Sequence, residues 1–507
     1  MTDVSGPARV WLDGRRERAA LDRRLFGSFV EHLGRCVYTG IFEPGHPAAD
    51  EHGFRRDVEE LVDELGVTLV RYPGGNFVSG YRWEDGIGPR EERPRRLDLA
   101  WRSVETNQVG TDDFLGWAER NRLAPMMAVN LGTRGVQAAA DLVEYCNLPA
   151  GTHWSDLRRQ HGRDAPYDVR LWCLGNEMDG PWQIGAKTAT DYGRLAAEAG
   201  KAMKLVDPTL ELVACGSSNH TMPTFGFWES EVLEHAWDVV DHISMHAYYE
   251  EVDGDRRSFL ASGADMDSFI DGVAATIDAV AARKHSSKRI GIAFDEWNVW
   301  YQRRFNDEGL PRITEAGRLL EDDYSALDAV VVGDLLISLL NHADRVRIAC
   351  QAQLVNVIAP IRTEANGGAW RQPTFHPFAA VTAAARGVVL ATEVECATVA
   401  TDRYGEVPTV TAAATLDPEA GAWSVFLTNR SASPTAVHLE QRGLPTAHRL
   451  SARTLTADAS SVSDTVFTAA DVSPGPGGAL SVVLPAESWT VLEASCDAVD
   501  AAPSATT

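Results

Sequence analysis

Val-Arg-Leu-Trp-Cys-Leu-Gly-Asn-Glu, residues 169–177, and Arg-Ile-Gly-Ile-Ala-Phe-Asp-Glu, residues 289–296, are two largely apolar runs that each end on a glutamate. Neither alternates strictly between polar and apolar, as a strand with one wet face would. Runs that are apolar on both faces belong in a parallel sheet covered by helices. Six further runs share the pattern, at 25–32, 67–72, 125–130, 210–215, 242–248 and 345–353. Helical stretches lie between them. Residues 54–65 carry apolar side chains at helical spacing and stop at Gly66, a glycine suited to a left-handed cap. Residues 269–283 and 326–342 read as further helices. Eight strand–helix units between Leu21 and His376 predict an α/β fold, a (β/α)8 barrel.

Beyond about residue 390 the helical period fades. Short alternating runs at 408–414, 422–428, 436–439, 480–484 and 490–492, separated by Gly, Pro, Asn and Asp, predict an antiparallel β-sandwich, jelly-roll-like. We assign 18–385 to the barrel and 386–496 to the sandwich. A strand near 7–14 is expected to join the sandwich, and the small, polar tail 497–507 is expected to be disordered. A chain of 507 residues suits one barrel with one accessory domain.

Composition narrows the function. The net charge of −25 repels nucleic acid and anionic lipid, so neither is an expected partner. No apolar run approaches the ~18 residues of a membrane span. Residues 1–24 are polar and lack the apolar core of a secretory signal, which predicts a cytoplasmic protein. The seven cysteines are odd in number and form no CxxC, the pattern of buried free thiols. HExxH and HxH are both absent. His242 and His246 are four apart on one run, too thin a signal for a site, so no metal and no cofactor is expected.

Barrels keep their chemistry at the C-terminal ends of the strands. Here the first run ends in Glu31 and His32, and the second leads into Arg71-Tyr72-Pro73-Gly74-Gly75-Asn76. The fourth ends in Asn176 and Glu177, the sixth in His246 and Tyr248, the seventh in Glu296, and the eighth in Gln353 and Asn356. A charge closing an apolar run is costly unless it is paired or used. Two such carboxylates at one mouth are the equipment of retaining glycosidic cleavage. One protonates the leaving oxygen, and the other attacks the anomeric carbon from about 5–5.5 Å away. The acid has to stay protonated near neutral pH, through burial or a neighbouring anion. Several residues also have a structural alternative: Glu31 as a helix cap, Asn76 as a turn residue, His246 and Tyr248 as satisfied core groups, Gln353 and Asn356 in structural roles. Arg71 suits the positioning of nearby carboxylates better than contact with a sugar.

Six segments carry a closer likeness: Phe-Gly-Ser-Phe-Val-Glu-His-Leu-Gly (26–34), Arg-Tyr-Pro-Gly-Gly-Asn-Phe-Val-Ser-Gly-Tyr-Arg-Trp-Glu-Asp-Gly (71–86), Leu-Gly-Asn-Glu-Met-Asp-Gly-Pro-Trp (174–182), Met-His-Ala-Tyr-Tyr (245–249), Asp-Glu-Trp-Asn-Val-Trp-Tyr (295–301) and Ala-Gln-Leu-Val-Asn-Val-Ile-Ala-Pro-Ile (352–361). In these the chain resembles the α-L-arabinofuranosidases of glycoside hydrolase family 51. The resemblance implies exo-acting, retaining hydrolysis of terminal α-L-arabinofuranosyl residues from arabinan, arabinoxylan or their oligosaccharides, with Glu177 as acid/base and Glu296 as nucleophile. It implies sugar contacts from Glu31, Asn76, Asn176 and Gln353, support of the nucleophile by His246 and Tyr248, and apolar faces from Trp101 and Trp300. It also implies a homo-oligomer, a hexamer. A related clan glycosidase (endoglucanase or β-xylosidase) and a non-catalytic carbohydrate-binding protein stay open as alternatives.

Overall fold

The computed structural model describes residues 7–308, 312–458, 467–475 and 479–495. The expectation for the tail at 497–507 falls outside these residues. Eight parallel strands close a barrel: Gly27–Phe29, Leu69–Tyr72, Ala124–Ala128, Leu171–Leu174, Glu211–Ala214, His242–Tyr249, Gly291–Val299 and Val346–Gln351. Each coincides with one of the eight apolar runs. The helices between them bury one face against the barrel wall. Arg56–Leu65 buries Val58, Leu61, Val62 and Leu65 and ends at Gly66 (φ 76°), whose N–H returns to Val62 and Asp63.

The second unit is a ten-stranded sheet, antiparallel except where Ala8–Ala20 runs parallel to Thr435–Arg442. Its strands sort their side chains by face. Ala412, Ala414, Val425, Leu427 and Leu492 join a core of the sheet's own, while Ala413, Phe426, Val491 and Trp489 join the barrel's core. Helix Ala326–Asn341 lies at that junction and is buried on nearly every side. At Gly333 an added Cβ would come within 2.4 Å of the Trp489 ring, so glycine is what lets the helix and sheet meet.

Two boundaries differ from the sequence reading. The N-terminal strand spans Ala8–Ala20 and pairs with Val388–Glu395 along its length, so residues 18–20 sit in the sheet and not in the barrel. Register shifts between Leu12 and Glu17 and between Glu17 and Ala19 break the alternation, and the charged run at 15–18 hides the strand. The sheet also contains Val388–Glu395 and Arg449–Thr456, which were not read as strands.

Candidate active site

The strand ends converge on a cavity of about 510 Å³. Local backbone geometry aims the side chains at it. After Leu171–Leu174 the chain turns at Gly175 (φ 93°), and Glu177 is itself left-handed (φ 45°). That conformation costs a non-glycine residue about 1–3 kcal/mol and is a common mark of a functional position. The turn sends Asn176 toward Arg71 and Glu177 over the cavity. After Leu69–Tyr72 comes Pro73-Gly74-Gly75. A Cβ at Gly74 would lie 2.2 Å from Glu31 Cγ, and one at Gly75 would lie 3.2 Å from both Glu296 Oε1 and Glu31 Oε2. Backbone closes directly against two carboxylates there, which only glycine allows.

Arg71 is the hub. It is buried, donates from Nη1 to Glu296 Oε1 (2.7 Å) and from Nη2 to Asn176 Oδ1 (2.7 Å), and sets Nε 3.2 Å from Asp295 Oδ2. Tyr248 Oη donates to the other oxygen of Glu296 (2.7 Å). His246 Nδ1 lies 2.9 Å from Glu177 Oε1 and 3.5 Å from Glu296 Oε2, while its Nε2 faces Ser244 Oγ (3.1 Å) and Asp295 Oδ1 (3.3 Å). Oxygens of Glu177 and Glu296 and a ring nitrogen of His246 all lie within 4.8 Å of one another.

The electrostatics follow from this packing. Burial alone would raise the Asp295 carboxyl, but Arg71 and then His246 override it and hold it at about 2. Burial opposes charge on His246, yet Glu296, Asp295 and Glu177 raise its pKa well above the ordinary histidine value. An imidazolium has no lone pair to offer a cation, so the Glu177–His246–Glu296 trio suits proton chemistry better than metal ligation. Glu31 accepts from Phe77 N (2.9 Å), Trp101 Nε1 (2.8 Å) and Gln353 Nε2 (2.9 Å). Burial pushes it up to about 8; the Phe77 and Trp101 donors oppose the rise and the Glu296 charge adds to it.

Two family models match the chain: the α-L-arabinofuranosidase 1 domain at residues 61–263 and the α-L-arabinofuranosidase C-terminal domain at residues 295–488. The intracellular exo-α-(1→5)-L-arabinofuranosidase of Streptomyces lividans is 59% identical over 427 residues, 84% of this chain and 64% of that protein, so the match spans just under two thirds of that relative. The exo-α-(1→6)-L-arabinofuranosidase of Bifidobacterium longum is 58% identical over 434 residues, 84% of this chain and 83% of that protein. A solved family 51 α-L-arabinofuranosidase from Bifidobacterium longum superposes with a TM-score of 0.92 at 46% identity, covering 97% of this chain and all of that one. The chain belongs to glycoside hydrolase family 51, the α-L-arabinofuranosidases.

In this family 51 chain the ten residues picked out from sequence gather at one barrel mouth. Glu31, Asn76, Trp101, Glu177, Tyr248, Glu296, Trp300 and Gln353 line the cavity. Asn176 and His246 stand one layer back, on Arg71 and Glu177. Asn176 Nδ2 also donates to Asn76 Oδ1 (3.3 Å). Trp101 spends its indole N–H on Glu31, and Trp300 packs edge-on against Tyr248 with ring centroids 5.0 Å apart. Asn356 does not reach the cavity; it bonds Arg35 O and Thr363 and ties loops together. His242 lies toward the opposite end of its strand, against Glu211 (3.2 Å). Sequence reasoning gave no role to Trp182, whose Nε1 donates to Glu177 Oε2 (2.7 Å), nor to Ser218 and Asn219, which enter the cavity from beyond the fifth strand. Trp182 stood inside a quoted motif. Ser218 and Asn219 lie past the strand end and carried no signal.

Proposed function

We propose that this family 51 arabinofuranosidase removes terminal α-L-arabinofuranosyl residues by double displacement, with Glu296 as nucleophile and Glu177 as acid/base. The observation that carries the reading is the approach of the two carboxylates, with oxygens within 4.8 Å across one cavity. One oxygen of each within that distance supports a retaining pair, whose carboxyl groups stand about 5–5.5 Å apart, over an inverting pair, which needs about 6.5–9.5 Å to seat a water.

Each role has a physical support. Glu296 has one donor on each oxygen, Arg71 and Tyr248, which fix its direction of attack. Glu177 first gives a proton to the leaving oxygen and later takes one from the incoming water. Glu31, Asn76, Asn176 and Gln353 offer the mix of donors and acceptors that sugar hydroxyls need. Gln353 Oε1 is buried with no partner among the described residues, an acceptor left for a ligand. Trp101 and Trp300 supply apolar walls.

Arabinan, arabinoxylan and their oligosaccharides are the substrate class this reading favours. The (1→5) and (1→6) linkages in the names of two relatives at nearly equal identity support a shared sugar pocket, with linkage chosen on the leaving-group side. "Intracellular" in relatives' names supports a cytoplasmic site of action, and among the described residues no helix is long and apolar enough to cross a membrane. The reading includes a homo-oligomer, a hexamer, which rests on the family resemblance; exposed Leu97, Leu99 and Ile313 around the hairpin that carries Trp101 offer apolar surface for a contact between copies.

The test is stereochemical. Proton NMR of the first-formed arabinose, taken before mutarotation, is expected to show the substrate's anomeric configuration. Inverted arabinose would reject double displacement.

A further inference from the structure

Both oxygens of Glu177 already accept a hydrogen bond, one from His246 and one from Trp182. The two donors differ in freedom. His246 is 2% exposed and anchored behind by Ser244 and Asp295. Trp182 is 52% exposed. The backbone beneath it is fastened: Gly180 N donates to Glu177 O (2.9 Å), Gln183 N donates to Gly180 O (3.0 Å), and the Gln183 side chain bonds Ser79. Asp179 Oδ2 takes both the N–H and the hydroxyl of Ser218 (3.0 and 3.1 Å), tying the loop to the next strand's end. The indole ring itself rests on Gly180, where a Cβ would come within 2.5 Å of Cε2. The loop is held by several hydrogen bonds, while the half-exposed ring is held by its bond to Glu177 and its contact with Gly180.

Position around the barrel says what would move it. In the closed strand order the first strand lies diametrically opposite the fifth. Glu31 and Gln353 come from the first and eighth strands. Glu177, Trp182, Ser218 and Asn219 come from the fourth and fifth. Glu31 and Gln353 therefore face the acid across the cavity. Trp182 stands on the acid's side of the cavity, where a leaving group protonated by Glu177 would have to be.

An acid must aim a proton-bearing oxygen at the leaving atom, and the indole N–H occupies the cavity-facing side of Glu177 Oε2, where that atom would have to come. We propose that Trp182 is a positioning residue that couples the leaving group to the acid. Its N–H holds Glu177 Oε2 in place until a saccharide leaving group takes up the exposed indole and draws it off. The freed oxygen then carries a proton, taken from solvent, to the glycosidic oxygen. This rests on the reading of Glu177 as acid/base.

The test uses the full-length enzyme, with arabinobiose and 4-nitrophenyl α-L-arabinofuranoside as substrates. Trp182→Phe keeps a ring and removes the donor. Gly180→Ala keeps the indole and pushes it aside. Both variants are read through kcat/KM on the two substrates. kcat/KM at the optimum is expected to fall about tenfold for arabinobiose and to hold for the nitrophenyl substrate, which leaves without a proton. A ratio of kcat/KM between the two substrates equal to the parent enzyme's in both variants would overturn the proposal and make Trp182 a wall. Glu177→Ala, assayed alongside, separates the two failures. Equal loss on both substrates removes the acid/base reading and this proposal with it, whereas unequal loss there with silent Trp182 and Gly180 variants removes only the coupling.

Discussion

Arg71 and Arg430 are both almost fully buried arginines facing buried aspartates, yet their surroundings differ in one respect. Arg430 donates to Asp334 Oδ2 from Nη2 (2.6 Å) and Nε (3.2 Å), the other oxygen of Asp334 accepts from Thr411 Oγ1 (2.6 Å), and Arg430 Nη1 reaches Pro408 O (3.4 Å). Each of those bonds begins and ends in protein, where the sheet meets helix Ala326–Asn341. Around Arg71 the bonds run outward, through Asn176 and Glu296 to a cavity, and Gln353 Oε1 beside them has no partner among the described residues. A closed network of buried charge fixes two bodies in register. An open one leaves valences for a ligand. Burial and charge alone do not tell the two apart; the destination of the last hydrogen bond does.

The largest effect should come from the open network. Glu296→Ala is expected to lower kcat on 4-nitrophenyl α-L-arabinofuranoside by at least about 10³-fold, because covalent catalysis loses its nucleophile, while the melting temperature stays close to the parent's. A variant that keeps more than a tenth of the activity would show that the open cluster is not the chemical centre. Next, Glu177→Ala should lower kcat/KM, which reports the first displacement, by about 10²–10⁴-fold on arabinobiose and far less on the nitrophenyl substrate, whose leaving group needs no proton. Rates on the two substrates check it directly.

The closed network should answer through stability. Arg430→Met leaves Asp334 buried and unpaired, and is expected to destabilise the protein by about 3–5 kcal/mol in urea unfolding without changing kcat per folded molecule. Adding Asp334→Leu should recover much of that loss. A matching fall in kcat would mean that the sheet's register reaches the site, and the contrast between the two clusters would weaken.

The same contrast governs what was legible in the sequence. The eight barrel strands could be read because they are buried on both faces, so burial wrote them as continuous apolar runs. The strand Ala8–Ala20 was read only in its first part, since its later residues are exposed and its register shifts twice. Val388–Glu395 went unread as a strand because it begins as an apolar run and ends as an alternating one. At the site, Glu177, Glu296 and Gln353 are legible because each is a polar residue closing an apolar run. Trp182, Ser218, Asn219 and Phe305 come from segments beyond the strands, where no period announces which way a side chain turns. Arg71 was expected to position carboxylates, and its three donor groups face Glu296, Asn176 and Asp295.

Glu31 gives the smallest and sharpest test, because it sits between the two kinds of network. It accepts three protein donors, as a closed group would, but it also lines the cavity. Burial raises its carboxyl from the usual range to about 8. A carboxyl raised on folding binds its proton more tightly in the native state. Between the unfolded value near 4.5 and about 8 the native protein therefore holds more protons than the unfolded chain, and stability falls as pH rises through that window. Glu31→Gln keeps the shape and cannot ionise, so the difference in urea midpoint between pH 5 and pH 8 is expected to shrink. It should not vanish, since burial also raises Asp179 and Asp98, each to about 6. An unchanged midpoint difference would mean that Phe77, Trp101 and Gln353 satisfy the Glu31 carboxylate as fully as Arg430 and Thr411 satisfy Asp334. Glu31 would then belong with the closed kind of cluster, and the sugar-facing role assigned to it would pass to Asn76 and Gln353.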